Sequence, residues 1–434
     1  MPELPRTLGL WGAASVGIGA IIGTGIFVLI GVAAGIAGPS VILSFIIAGF
    51  TAMLTGLSAA EISSFIHEAG GSYIYATKAF GKFPGFLVGW LKTYDYIVGT
   101  SAVSVGFAAY FAVFLGINPT VAVLTAVATI WPLMLTILNL RGMQEASGIN
   151  AVLVLLKVSA LVLFILIGGA FLLTSGTTSN YSPFFPHGIS GTLSGAAVIF
   201  FAFIGFNTVA VIAEEVRDPG KTVPRAILIS FGVSTLLYIG ITITAVGLIP
   251  WTVLGISTAP LEAALRAATN NILALDYLAV SALFATTSVI LASILGGSRA
   301  LFAMAREGTL PKGIATVSSR GVPSVAVLMC GIASSVIVFV TRGDLSLLAS
   351  VFNFGTLVTY FFINASLLQL RRTMPDAPRL FRVPLYPFVP VFGLASCIFL
   401  SLFLNMNAVL VGLAWILVGI VAYQVMQRRS RVNA

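Results

Sequence analysis

The sequence predicts an all-α membrane protein of twelve transmembrane helices, and three observations carry that expectation. Hydrophobic residues make up 58% of the 434-residue chain and charged residues 8%, whereas soluble domains carry about 25% charged residues. The apolar residues fall in runs of the length, about 20 residues, that crosses a ~30 Å hydrocarbon core as a helix. The basic residues between those runs are heavily biased to alternate segments, as cytoplasmic loops are.

In chain order the spans lie near 11–36, 40–64, 84–114, 120–140, 149–174, 190–213, 225–249, 275–304, 322–341, 345–370, 386–405 and 407–427. The first is not a signal peptide: Leu8 to Gly38 is too long for an h-region and has no cleavage site. No linker or water-soluble domain interrupts the series, so residues 1–434 read as a single transmembrane domain. The longest loops are exterior, near 175–189 and 251–274. Of the 22 lysines and arginines, Lys92 and Lys157 lie within spans and only Arg266 and Arg342 fall on the exterior side. That asymmetry puts both termini in the cytoplasm. It also makes the net charge of +9 a topology signal, so no nucleic-acid partner is expected. Cys330 and Cys397 both sit in apolar runs. Neither a disulfide framework nor a metal site is supported, and no cofactor is expected.

The first span is unusual. "GIGAIIGTGIF", residues 17–27, puts Gly17, Gly19, Gly23 and Gly25 where a helix must cross, although each glycine costs a helix roughly 1 kcal/mol relative to alanine. Gly19-x-x-x-Gly23 also reads as a small-residue packing face, so packing and a break can coexist. Span six carries "FFAFIGFN", residues 200–207. Five spans separate the two, so they cross in opposite directions. Glycine-interrupted segments in two inverted halves point to a small-molecule site at the bilayer midplane.

Unwinding at Gly23-Thr24-Gly25 would turn backbone N–H groups and the positive end of a half-helix toward the cavity, which suits a carboxylate. Carbonyls released around Ile21, and those of Phe201, Ala202 and Ile204 beside Gly205, suit an ammonium group. A short zwitterion matches both.

Charge within the spans is the second signal. Lys157, in "NAVLVLLKVSALVLF", sits about 10 Å past Asn150 at the cytoplasmic end of span five. Such residues mark ion or proton pathways. An enclosed lysine can exchange its proton near neutral pH, as a coupling switch requires. The alternative is snorkelling back to the headgroups. Lys92 and Asp95, three residues apart in span three, share a helix face and are expected to pair, as a structural tie or as a cytoplasmic gate. Glu61 ends span two, where interface water is expected to meet it. Thr286, Thr287 and Ser288 in span eight carry midplane hydroxyls, which in helices usually bond back to their own backbone. In "EEVRDPGKTVPRA", Asp218-Pro219-Gly220 reads as a turn, with Thr222 capping span seven and Pro224 in its first turn. His67 and His187 lie in loops on opposite sides, and no catalytic constellation is evident, so the chain is not expected to be an enzyme.

"GIGAIIGTGIF", "GGSYIYATKAFG", "FFAFIGFNTVAVIAEEVRDPGKTVPRAI" and "SRALFAMAREGTLPKGI" occur in this order. Together they make the chain resemble amino acid transporters of the amino acid–polyamine–organocation superfamily, in particular prokaryotic relatives of the cationic amino acid transporters. The resemblance covers essentially the whole chain. It implies a leucine-transporter-type 5+5 inverted repeat, approximately 11–174 and 190–370, plus two C-terminal helices at 386–427. By likeness, the substrate carboxylate would meet the backbone of Thr24 and Gly25, with Gly23 permitting the break. The ammonium would meet carbonyls of Ile21, Phe201, Ala202 and Ile204, and Phe203 would flank the pocket. Lys157 matches the lysine of proton-coupled members, and Thr287 and Ser288 match a hydroxyl pair that holds an ion in sodium-dependent relatives. Asn207 stands where relatives often have aspartate, and His67 replaces a frequent proline.

The expectation is therefore an inner-membrane, proton-coupled importer of small or medium neutral amino acids working by alternating access. Its partners are the amino acid, the proton and the lipid bilayer, and its oligomeric state is open. The alternatives are an exchanger or polyamine transporter of the same fold and a non-transporting amino acid sensor.

Overall fold

The computed structural model describes residues 8–66, 68, 71–141, 147–176, 178–212, 215–306, 308–318 and 321–432. His67 lies outside them, as does the Asn207 side chain. Among the described residues the regular secondary structure is helical, apart from one isolated bridge between Leu8 and Val216. The helices are α1 (Leu10–Ile21), α2 (Ile30–Ala37), α3 (Val41–Ser63), α4 (Ser72–Phe80), α5 (Lys82–Phe114) and α6 (Val121–Leu140). Next come α7 (Ser147–Ser175), α8 (Gly188–Ile199), α9 (Asn207–Val211), α10 (Pro219–Leu248), α11 (Trp251–Ile256) and α12 (Pro260–Ala268). The last are α13 (Ile272–Arg306), α14 (Ser324–Thr341), α15 (Leu345–Thr373), α16 (Phe388–Ser401) and α17 (Met406–Val432).

Among the described residues, ten helical stretches are long and apolar enough to cross a membrane. The first, Leu10–Ser63, runs for 54 residues, and Phe388–Ser401 is a shorter apolar helix outside the ten. This is a multi-pass membrane protein. Many of its larger apolar side chains, such as Leu173, Leu236 and Val340, face outward, which in water would be an aggregation hazard but in lipid is the expected surface.

Three local expectations are corrected. The stretch 251–274, expected as a loop, contains helices α11 and α12. Span seven starts earlier than its apolar run, because Pro219 supplies the first helical position and Asp218, at φ 48°, is the cap residue. The N–H groups of Lys221 and Thr222 both return to Asp218 O. Thr222 is therefore inside the helix, and Pro224 lies in the second turn, where its missing N–H removes only one early bond. Glu61 does not meet interface water. It is fully buried and accepts from Arg371 Nε at 2.7 Å and Nη2 at 2.6 Å, and from Val383 N–H at 2.6 Å. Arg379 Nε lies 3.3 Å from its other oxygen. A buried carboxylate needs such partners, and here the end of α15 and the segment joining it to α16 supply them.

Small residues let the helices around the centre close up. Tyr96 of α5 lies against Gly296 and Gly297 of α13. Ser101 Oγ donates to Ser334 O on α14 at 2.9 Å, and Ser334 Oγ donates back to Ile97 O at 3.0 Å. α1 rests on α10, where Ser230 Oγ donates to Ala14 O at 2.9 Å beside Gly17.

Candidate functional site between two broken helices

Both glycine-rich segments are broken. α1 stops at Ile21, and Ile22 is extended (φ −77°, ψ 101°). Its N–H still donates to Ile18 O at 2.9 Å, but the next bonds start afresh, with Ile26 and Phe27 N–H both returning to Gly23 O. A π-helical turn over Gly25–Leu29 then leads into α2. The N–H groups of Gly23, Thr24 and Gly25 stand at the N-terminal end of this outer half-helix, where helical geometry leaves donors open. In the second segment α8 ends at Ile199, a tight turn spans Phe200–Phe203, and Ile204 is extended (φ −85°, ψ 140°). Gly205 follows at φ 132°, a conformation that glycine alone adopts without strain.

The breaks touch. A Cβ on Gly25 would overlap the Cα of Ala202, and one on Gly205 would lie 2.5 Å from the carbonyl of Ala20. Ile22, Gly23 and Thr24 are buried, while Ala20, Ile204, Gly205 and, facing Gly23 from α13, Val289 are half-buried.

Thr24 Oγ1 is buried with no protein partner among the described residues, and its methyl packs on Gly106 of α5. Beside the open N–H groups, that hydroxyl completes a donor set for a carboxylate. Ile21 O accepts from Tyr238 OH of α10 at 2.8 Å, which leaves one of its two lone pairs. Phe201 O accepts from Ile204 N–H at 3.3 Å. Phe201 packs on Phe352 of α15 with the rings tilted by 49° and centroids 4.5 Å apart. Phe203 does not flank the breaks. It is fully buried among Phe45, Phe231 and Tyr238, because the tight turn rotates it toward α3 and α10.

Lys157 of α7 does not snorkel. It is 2% exposed, and its Nζ donates to Gly19 O at 3.2 Å and to Ser288 Oγ at 2.9 Å. Ser288 passes the bond on to Ala285 O at 3.1 Å. Thr287 is half-buried beside it, and Thr286 bonds back to Ala282 O of its own helix. One ammonium thus joins α7 and α13 to the end of α1. Lys92 and Asp95 pair at 3.4 Å, with Asp95 2% exposed.

On the side of α2, the chain packs closely against α11 and α12. Gly31 of α2 meets Leu254 O and Pro260, and Gly35 meets Gly255 of α11. His187 Nδ1 hydrogen-bonds with Ile36 O at 2.8 Å, its ring edge-on to Trp251.

Sequence reading missed three residues. Tyr238 holds Ile21 O, Tyr110 OH donates to Phe27 O at 2.8 Å, and Asn353 donates to two carbonyls of α8. Asn353 alone left a signal, as a polar side chain inside an apolar run.

The amino acid permease family model matches residues 12–432. The chain is similar to the branched-chain amino acid permease BcaP of Bacillus subtilis, at 34% identity over 99% of this chain and 95% of the relative. It is also 34% identical to the methylthioribose transporter of B. subtilis, over 98% and 94%. Identity to the cationic amino acid transporter 3, mitochondrial, of Arabidopsis thaliana is 32%, over 86% of this chain and 63% of the relative. These relatives are permeases and transporters, not enzymes, and this chain belongs to the amino acid permease family.

Proposed function

We propose that the protein imports neutral amino acids, branched-chain ones included, together with a proton, and that Lys157 is the coupling residue. The carrying observation is the buried Lys157, whose Nζ donates to Gly19 O and Ser288 Oγ. Protonated, it holds α1 to α7 and α13. When the proton leaves, the charge-assisted bonds weaken and the inner half-helix is free to move. The N–H groups of Gly23, Thr24 and Gly25 would take the substrate carboxylate. Carbonyls of Ile21, Phe201, Ala202 and Ile204 would take the ammonium, with Phe201 and Phe352 at the apolar side. A neutral side chain is favoured over a cationic one because Asp95 is already tied to Lys92.

The architecture proposed with it has twelve spans, both termini cytoplasmic. The 54-residue first stretch counts as two spans divided at Gly38–Ser40, and α16 counts as the eleventh. One feature supports the inverted 5+5 repeat: α1 and α8, the first halves of the broken segments, are each 12 residues long.

The test is uptake of leucine and alanine into proteoliposomes under an inward proton gradient. Wild type is expected to be stimulated by the gradient. Lys157→Ala is expected to lose that stimulation while still exchanging leucine across a membrane with equal pH on both sides. Unchanged gradient dependence in the variant would remove Lys157 from the mechanism.

A further inference from the structure

Resting on the inverted-repeat reading, the geometry points to Asn353 as the second-half counterpart of Lys157: an uncharged clamp on the outer half-helix of the second broken segment. Lys157 stands 18 residues before the end of α7 at Ser175, and Asn353 stands 20 before the end of α15 at Thr373. Lys157 binds Gly19 O, two residues before the end of α1, and Asn353 Nδ2 binds Ala197 O, two residues before the end of α8, at 2.7 Å. The other Nδ2 hydrogen serves Val198 O at 2.9 Å. Asn353 is fully buried, and its Oδ1 takes no bond from the described protein donors. The side chain is held for its two donors.

The chemical difference between the two positions gives the inference its content. An ammonium can give up its proton, whereas a carboxamide has none to give near neutral pH. Proton release therefore loosens the inner half-helix alone, and the outer half-helix is held in either protonation state. Coupling acts on one gate, and Asn353 is a positioning residue that keeps the other insensitive to pH.

Asn353→Asp separates this role from simple packing. A protonated carboxyl can donate to Ala197 O, but an ionised one would face two carbonyls with no donor. The helices packed around α15 bring Lys92, Tyr94 and Asp95 on α5, Tyr73, Tyr75 and Lys78 on α4, Glu61 on α3, Cys397 on α16, and Tyr423 and Arg428 on α17; α8 carries no ionisable residue. Tyr94 OH donates to Val351 O of α15 at 3.0 Å. Tyr360 lies two turns inward on α15 itself.

The experiment is leucine counterflow in proteoliposomes with equal pH on both sides, at pH 5.5 and pH 8, for wild type, Asn353→Ala and Asn353→Asp. The thermal unfolding midpoint of each protein in detergent is measured at the same two pH values. Asn353→Ala is expected to slow counterflow about tenfold at both, since two buried carbonyls lose their donors. Asn353→Asp is expected to approach wild type at pH 5.5 and to fall about tenfold relative to it at pH 8, its midpoint dropping in parallel. Asn353→Asp following the wild-type pH profile in both measurements would overturn the proposal, as would Asn353→Ala with wild-type counterflow. Wild type that moves no leucine would count against the transport reading, and the midpoints would still decide the clamp.

Discussion

Gly25 and Gly205 are where residue chemistry most directly dictates the site. Gly25 lies on the backbone of Ala202 and Gly205 on that of Ala20, so the two broken segments approach closely only because neither position has a side chain. Gly25→Ala is expected to abolish leucine uptake and to cost about 1–3 kcal/mol of stability, the usual penalty for forcing a methyl into a filled interior. Gly169→Ala in α7 is the control: nothing lies within 4 Å of its added carbon, so uptake and thermal stability are expected to stay at wild-type levels. Equal uptake by both variants would show that the close contact is not needed. The glycines were legible in the sequence because span one and span six each carry them inside an apolar run, and paired interruptions in opposed spans go beyond what packing alone calls for. The orientation of Phe203 was not, since helical periodicity lapses where the helix breaks. Nor were the partners of Tyr238 and Asn353, whose bonds join residues 217 and 156 positions apart and leave no local pattern.

At the scale of elements, hydropathy located the apolar helices because each must bury or expose whole turns of one polarity. It misplaced features governed by short-range geometry, such as the start of α10 at Pro219 and the short helices α11 and α12. The segment between α15 and α16 was also opaque, since a lone Glu61 at a helix end resembles many solvated carboxylates. In the fold Glu61 ties the end of α3 to Arg371 at the end of α15 and to Arg379 and Val383 in the connecting segment. Leu380 of that segment packs on Gly220 at the start of α10, and Ser64 Oγ reaches Phe381 O. Burial lowers the pKa of Arg379, and Glu61 opposes that shift. Glu61→Gln keeps the shape but leaves two guanidinium groups without a counter-charge. Its expected cost is about 3 kcal/mol, in the range for breaking a buried ion pair from one side, discounted because Arg371 is 21% exposed. The expected outcome is a lower thermal midpoint and faster protease cleavage between 374 and 387. A midpoint equal to that of wild type would mean that the cluster adds nothing to stability.

For the molecule as a whole, the two halves of the first broken segment differ in a way that defines its conformation. From Ile26 to Ile30 every residue is buried, beneath α11 and α12. Along α1, by contrast, Gly12, Ser15, Ile18 and Ala20 are half-buried, and the exposure continues into Ile204, Gly205 and Val289 at the level of the breaks. Val289 faces Gly23 from α13, so this strip of partial exposure reaches the contact between the first break and α13. Under the proposed topology it leads to the cytoplasm, and the outer path is closed. Alternating access requires the two accessibilities to exchange. A single cysteine at Ser15 is therefore expected to react with a membrane-impermeant maleimide from the cytoplasmic face in the absence of substrate, while one at Val28 stays protected. An inward proton gradient with saturating external leucine redistributes the protein among its states, so the Ser15→Cys rate is expected to fall and the Val28→Cys rate to rise, each severalfold for a shift of about 1 kcal/mol. Labelling of Ser15→Cys from the exterior face alone would invert the assigned orientation. Rates that ignore leucine and the gradient at both positions would mean that this segment does not move in transport.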